Sequence, residues 1–308
     1  MNFTSVENIA AAVLYEGYIL YPYRSTAIKN RQRWNFGTLY PRIYAEAQRP
    51  QEPFRLISEC LLVPGSNTAL DIKVNFLQLL PQPVSSNLVD PSLNWDEATE
   101  RTFDHCDLDL SALLTAPLSL NIAPASHLAA SLTIRAQTLP SGAWKLHLEL
   151  ENISSLSSGT KALREEALPR SLVSAHLLLG LTGGEFISLL EPLDPYAADA
   201  KACTNTGVFP VLAGDEPNRS ILLLSPIILY DYPKTSPESA GDFFDGTEMD
   251  EMLTLRVLTL TDAEKEEMRS GDPRARRILE RTEALTGEEM MKTHGIVRAL
   301  HEIQGDAS

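Results

Sequence analysis

Residues 131–152, SLTIRAQTLPSGAWKLHLELEN, read as two strands and a turn. Leu132, Ile134 and Ala136 alternate with Thr133, Arg135 and Gln137; Leu146, Leu148 and Leu150 alternate with Lys145, His147 and Glu149. Successive side chains of a strand point to opposite faces, so this period gives one apolar and one polar face. Pro140-Ser141-Gly142 supplies turn chemistry between the halves. An antiparallel hairpin on the surface of a sheet follows.

The pattern continues on both sides. Phe54–Val63 and Ala69–Leu80 are apolar-rich and flank Pro64-Gly65-Ser66-Asn67, which predicts a second hairpin. A polar loop carries Pro81, Pro83 and Pro91; beyond it Leu118, Leu120 and Ile122 alternate with Ser119 and Asn121. Leu172–Leu181 and Glu185–Leu190 predict two strands around Thr182-Gly183-Gly184. Ile221–Tyr230 is apolar but broken by Pro226, which favours an edge or a bulge. Leu253–Leu260 predicts one last strand. The Ser/Gly-rich stretch Ser154–Thr160 is the best place for a flexible join.

The ends read as helical. Thr4-Ser5-Val6-Glu7 has capping-box form and precedes Ile9, Ala10, Val13 and Leu14, so a helix enters at Val6 and ends near Gly17. A short helix is expected near Ser25–Gln32. Near the other end, Thr261-Asp262-Ala263-Glu264 and Thr286-Gly287-Glu288-Glu289 are further capping boxes, the last opening a helix to about Ile303. Asp272-Pro273 places a capping Asp before a Pro at the first helical position. The expected fold is β-rich α+β: antiparallel sheets, sandwich-like, over 54–260, with an N-terminal helix and loop over 1–53 and a helical tail over 261–308. A join near 154–160 would divide the β-rich body in two.

The formal charge of −15 argues against nucleic acid, which needs a basic footprint. That charge is uneven: residues 1–50 hold six Lys/Arg and three Asp/Glu, about +3, leaving −18 elsewhere. Three cysteines, Cys60, Cys106 and Cys203, without CxxC spacing fit a reducing compartment. Asn2, Asn152 and Asn218 begin glycosylation patterns that matter only on a secretory route. No basic n-region precedes Ile9–Leu14, and no run reaches the roughly 18 apolar residues of a membrane span. A soluble cytoplasmic protein is expected.

Six of the nine tyrosines lie in the first 50 residues, among clustered basic side chains. Tyr15, Tyr18, Tyr21 and Tyr23 with Arg24, Lys29, Arg31, Arg33 and Trp34 suit a cation–π and hydrogen-bonding surface for a partner. Equally, the rings pack on the sheet and the arginines pair with acidic loops. The second unusual stretch is residues 231–251, DYPKTSPESAGDFFDGTEMDE. Asp242, Asp245, Glu248, Asp250 and Glu251 are close enough to hold a hard cation, but Gly241 and Phe243 stand where an EF-hand needs oxygen ligands. Docking a partner, pairing with the basic strip and simple solvation are the stronger readings. A clasp between the strip and the segment near Asp242 is expected.

Catalytic and metal signals are weak. There is no GxSxG elbow, no phosphate loop, and no HxH or HExxH spacing. His294 and His301 are two helical turns apart, too far for one ion. His176 interrupts an apolar run; a hydrogen-bonded core histidine is favoured over a metal ligand shared with Cys203. No cofactor is expected.

LYEGYILYPYR (14–24), KNRQRW (29–34) and LYPR (39–42), with SPIILYDYP (225–233), FDGTE (244–248) and LTLTD (258–262), resemble an uncharacterised bacterial family. Its genes accompany those of nickel–iron uptake hydrogenases and their maturation factors. The matching segments cover about a third of the chain. The resemblance implies a non-enzymatic accessory or assembly protein that binds hydrogenase subunits or maturation factors, and it assigns no catalytic residues. The rivals are a metal-dependent enzyme with a polar pocket that uses His176, Cys203 and the Asp242–Glu251 carboxylates, and a structural subunit of a larger complex.

Overall fold

The structure, a computed structural model, describes residues 2–24, 27, 30, 36–80, 97–234, 244 and 250–286. It divides into two compact units: Met1–Gly17 with Trp34–Lys234, and Tyr18–Arg33 with Thr235–Ser308.

The first unit is built on one antiparallel sheet of eight strands: β1 (Arg55–Leu80), β2 (Glu97–Asp109), β3 (Leu118–Ala125), β4 (Leu128–Thr138), β5 (Trp144–Asn152), β6 (Val173–Ile187), β7 (Phe209–Ala213) and β8 (Ile221–Ser225). The order is β3-β4-β5-β1-β6-β8-β7, with β2 also on β1. The hairpin of residues 131–152 forms as expected, Leu132 facing Leu150 and Ile134 facing Leu148. The β-rich α+β class holds, with all eight strands in a single sheet.

β1 organises that sheet. Its first half pairs with β5 (Arg55 opposite Glu151), and its second half pairs with β2 (Phe76 opposite Arg101). β6 occupies the other edge of both halves, because Leu61 faces Lys145 and Ile187 while Leu70 faces Leu108 and Leu181. Leu56, Cys60, Leu62, Leu70, Ile72, Val74 and Phe76 lie on one face of β1. They share a core with Leu132 and Ile134 of β4, Leu146, Leu148 and Leu150 of β5, and Leu177 and Leu179 of β6.

Two expected turns are corrected. Pro64-Gly65-Ser66-Asn67 does not reverse the chain, and neither does Gly183-Gly184; β1 and β6 run through them. The two stretches meet each other across the ladder, where the register slips between Pro64 and Ala69. Asn67 takes a positive φ of 58°, Thr68 Oγ1 donates to Gly183 O at 2.7 Å, and a Cβ on Gly65 would lie 2.4 Å from that same oxygen. Turn-forming residues here absorb extra chain as a bulge, which glycine permits by letting backbones approach.

Helix α1 (Glu7–Tyr15) lies over the opposite face of β6, β7 and β8. Val6, Ala10 and Val13 pack there with Leu178, Val211, Ile221 and Leu223. With both faces covered, β6 and β8 read as continuous apolar runs rather than alternating ones. The expected capping box at Thr4 is absent: Thr4–Val6 is a 3₁₀ turn, and the Thr4 hydroxyl donates to Asn2 Oδ1. α1 ends before Gly17, whose φ is +70°. Short helices α2 (Arg42–Ala47), α3 (Arg164–Ala167) and α4 (Ala197–Lys201) complete this unit.

In the second unit, Leu253–Leu260 is not a strand. Helix α5 (Asp250–Leu258) takes in its first six residues, burying Leu253 and Val257 while Met252 and Leu255 are exposed. A burial pair at i and i+4 is helical spacing, and so short an apolar run fits either period. α6 (Asp262–Ser270) starts with the expected capping box, Thr261 N donating to Glu264 Oε2 at 2.9 Å. α7 (Pro273–Ala284) is capped by Asp272 Oδ1, which accepts from Arg274 N at 2.7 Å. The helix expected near Ser25–Gln32 and the one from Thr286 to Ile303 fall almost wholly outside the described residues.

Candidate functional site

The Tyr/Arg strip is packed into the protein over its described part. In the first unit Tyr15 is buried on α1, its hydroxyl donating to Glu100 Oε1 at 2.5 Å. In the second unit the Tyr18 hydroxyl donates to Asp272 Oδ2 at 2.5 Å, so the residue that caps α7 also holds the strip. The Tyr18 ring meets Phe244 edge-on and lies under the Arg274 guanidinium, 5.0 Å from its centroid. Tyr21 stacks beneath Arg256 and edge-on to Tyr23, which is buried. Buried Asn30 pins the backbone: its side chain exchanges hydrogen bonds with Leu20 N and O and donates to Arg24 O.

Arg24 pairs with Glu264 at 3.0 Å and Glu267 at 3.3 Å, both on α6. Among the described residues of the strip, Arg24 thus finds acidic partners within its own unit, the carboxylates of helix α6. Arg31, Arg33, Trp34, Asp242, Asp245 and Glu248 lie outside the described residues, as does the expected clasp near Asp242. Tyr15 and Tyr23 are buried, and Tyr21 is half-buried.

His176 is a satisfied core histidine. It sits on β6 opposite Asn75 of β1, without solvent exposure. Its Nδ1 lies 2.9 Å from Ser174 O, which can only accept, so Nδ1 carries the proton. Nε2 then accepts from Asn75 Nδ2 at 3.3 Å, and Asn75 Oδ1 accepts from the Thr102 hydroxyl at 3.1 Å. Ser174, at a positive φ of 52°, passes its own hydroxyl to Val13 O on α1. Burial pushes the imidazole down to about 4, against a smaller upward effect of the Ser174 bond, so the ring is neutral at physiological pH.

Cys203 occupies a different place. It packs beside Leu61, Ala143 and Ile187, and its thiol donates to Asp199 O. The neighbouring strip is tied to β1: Thr204 N donates to Glu59 Oε2 at 2.9 Å, and Ser58 Oγ donates to Asn205 Oδ1 at 2.8 Å. Burial pushes the Glu59 carboxyl up, but hydrogen bonds from Thr204 and Lys145 outweigh it and hold the group below its ordinary value. Burial and the Glu59 charge push the Cys203 thiol up to about 11, which leaves little thiolate for nucleophilic or metal chemistry. His176 and Cys203 share no hydrogen-bonding neighbour, and among the described residues no three His, Cys, Asp or Glu side chains are grouped to hold a metal ion. Among those residues no helix is long and apolar enough to cross a membrane.

What sequence reasoning missed is a surface feature next to β8. Beyond Ser225 the chain leaves the sheet: Ile227 and Leu229 pack against the α1-covered core, while Ile228 and Tyr230 are exposed at 78% and 84%. The alternation within SPIILYDYP was its only signal, and Pro226 obscured it. No protein-family model matches the chain, and no curated protein matches it.

Proposed function

We propose that the chain is an accessory or assembly protein that binds a protein partner in association with a bacterial nickel–iron hydrogenase. The observation that carries the binding reading is the Ile228/Tyr230 pair, two large apolar side chains exposed to solvent two residues apart. Exposed apolar side chains of this size, an aromatic among them, are the residue types that anchor protein contacts. Their backbone is held: Asp231 Oδ1 accepts from Leu212 N at 2.8 Å and Oδ2 accepts from the Ser188 hydroxyl at 2.5 Å. A surface already fixed loses little entropy on docking. The hydrogenase link rests on the resemblance, and SPIILYDYP is one of the stretches that carries it.

The test is affinity capture with the tagged full chain from cells expressing hydrogenase subunits and maturation factors. Enrichment of one of them, reduced about tenfold by Ile228→Ala/Tyr230→Ala, is expected. Capture unaffected by that double substitution would remove the assigned surface. Absence of every hydrogenase component with the native chain would overturn the proposal, and recovery at fixed stoichiometry in a stable larger complex would favour a structural subunit instead.

A further inference from the structure

A cleft of about 450 Å³ opens in the first unit, lined by His127, Ser157, Ser158, Glu165, Glu166 and Arg170, with Leu156 and Pro169 as its apolar part. Three segments build it: the two-residue turn Ser126-His127 between β3 and β4, the stretch after β5, and α3 with the 3₁₀ turn Leu168–Arg170. They are tied together by buried polar groups. Asn152, without exposure, donates from Nδ2 to Leu39 O and to Arg170 O, both at 2.8 Å, and its Oδ1 accepts from Ser154 N at 2.9 Å. Ser154 in turn exchanges hydrogen bonds with Ala129 N and O beside the turn. The walls are therefore held in place before any ligand arrives, as preformed sites require.

The cleft's chemistry is set from behind. Gln78 is fully buried on β1, and its Oε1 accepts from Arg101 Nε at 2.8 Å. That fixes the amide orientation, so Nε2 is the donor facing His127 Nε2 at 3.1 Å. His127 Nε2 must accept, and the proton of the neutral ring belongs on Nδ1. The relay from Arg101 through buried Gln78 to His127 thus makes His127 a hydrogen-bond donor through its remaining nitrogen. Arg170 is bonded only weakly, through Nη1 to the Glu166 carbonyl at 3.3 Å, and no ion pair joins it to Glu165 or Glu166. Charges of both signs, with no ion pair between them, line one preformed cleft, with hydroxyls and a small apolar surface beside them.

We propose that this cleft binds a zwitterionic ligand, a free α-amino acid or a short peptide. Arg170 and His127 Nδ1–H receive its carboxylate, Glu165 and Glu166 receive its ammonium group, and Leu156 and Pro169 meet its side chain. A ligand of one sign would leave a carboxylate pair or a guanidinium opposed or unpaired; a zwitterion satisfies both.

The experiment is an amide and side-chain NMR titration of the full chain with the twenty free α-amino acids and with leucyl-glycine. N-acetyl-leucinamide, which has the same side chain as leucine and no charge, is the control. Saturable shifts confined to residues 126–129, 156–158 and 165–170 with at least one charged probe, and none with the capped one, are expected. Arg170→Gln and Glu166→Gln should each weaken that binding about tenfold, and Arg42→Gln, which pairs elsewhere with Glu46 and Glu151, should not. No saturable shift with any charged probe at millimolar concentration would overturn the proposal. So would equal binding of the capped probe, or shifts centred outside these segments.

Discussion

His176 makes the β1–β6 ladder sensitive to acid. The ring is wholly buried and is hydrogen-bonded as a neutral imidazole, its Nε2 accepting from Asn75. Protonating Nε2 turns that acceptor into a donor facing another donor and places a charge where solvent does not reach. The folded value of about 4 lies below the ordinary 6.5. Between those values the unfolded chain holds the proton and the folded chain does not, so stability rises with pH across the window. The full contribution is present above the ordinary value and is lost as pH falls through the folded one. At about 1.4 kcal/mol per pH unit the loss between pH 7 and pH 4 is about 3 kcal/mol, a large share of a domain's net stability.

Other groups also titrate in this range, so the assay is a difference. Amide hydrogen exchange at Val74 and Leu177, which face each other across the ladder, reports opening of this part of the sheet in the native protein and in His176→Gln. The native protein should be the more stable of the two at pH 7, and its advantage should shrink by about 3 kcal/mol by pH 4. An advantage independent of pH, or an imidazole that titrates near its ordinary value by NMR, would refute the reasoning.

Asn152→Ala should strip three partners at once, leaving Arg170 O and Ser154 N unpaired and Leu39 O with only its bond from Leu172 N, and cost about 3 kcal/mol in denaturant unfolding of the first unit. Two threonines that look alike in sequence should behave differently. Thr261→Ala removes a formed capping box and should cost about 1 kcal/mol in the exchange of α6 amides, whereas Thr4→Ala removes only a bond to exposed Asn2 and should change α1 by no more than a few tenths of a kcal/mol.

The α+β class was legible because its signals are local. The alternation in 131–152, the capping box at Thr261 and the Asp272-Pro273 start each depend on residues within one or two turns of each other, and all three formed. The core character of His176 was legible too, from a lone polar residue in an apolar run.

Other features depended on what lies opposite in space. Pro64–Asn67 and Gly183-Gly184 have the residues of tight turns, and became one bulge because each faces the other across β1 and β6. Leu253–Leu260 fits two periods, and burial of Leu253 with Val257 selected the helix. The tyrosines of the N-terminal strip read equally as a partner surface and as packed rings; for Tyr18 and Tyr15 the structure supplies Asp272 and Glu100, 254 and 85 residues away. The His127 cleft joins three segments through Asn152 and Gln78, whose partners lie up to 113 residues distant. Hydrophobic period and capping are properties of neighbouring residues, so the sequence by itself determined which faces of the 131–152 hairpin are apolar and where the helices after Thr261 and Asp272 start. Turn against bulge, helix against strand in a short apolar run, and ring displayed against ring buried depend on the group across the contact, and only the tertiary structure decided them.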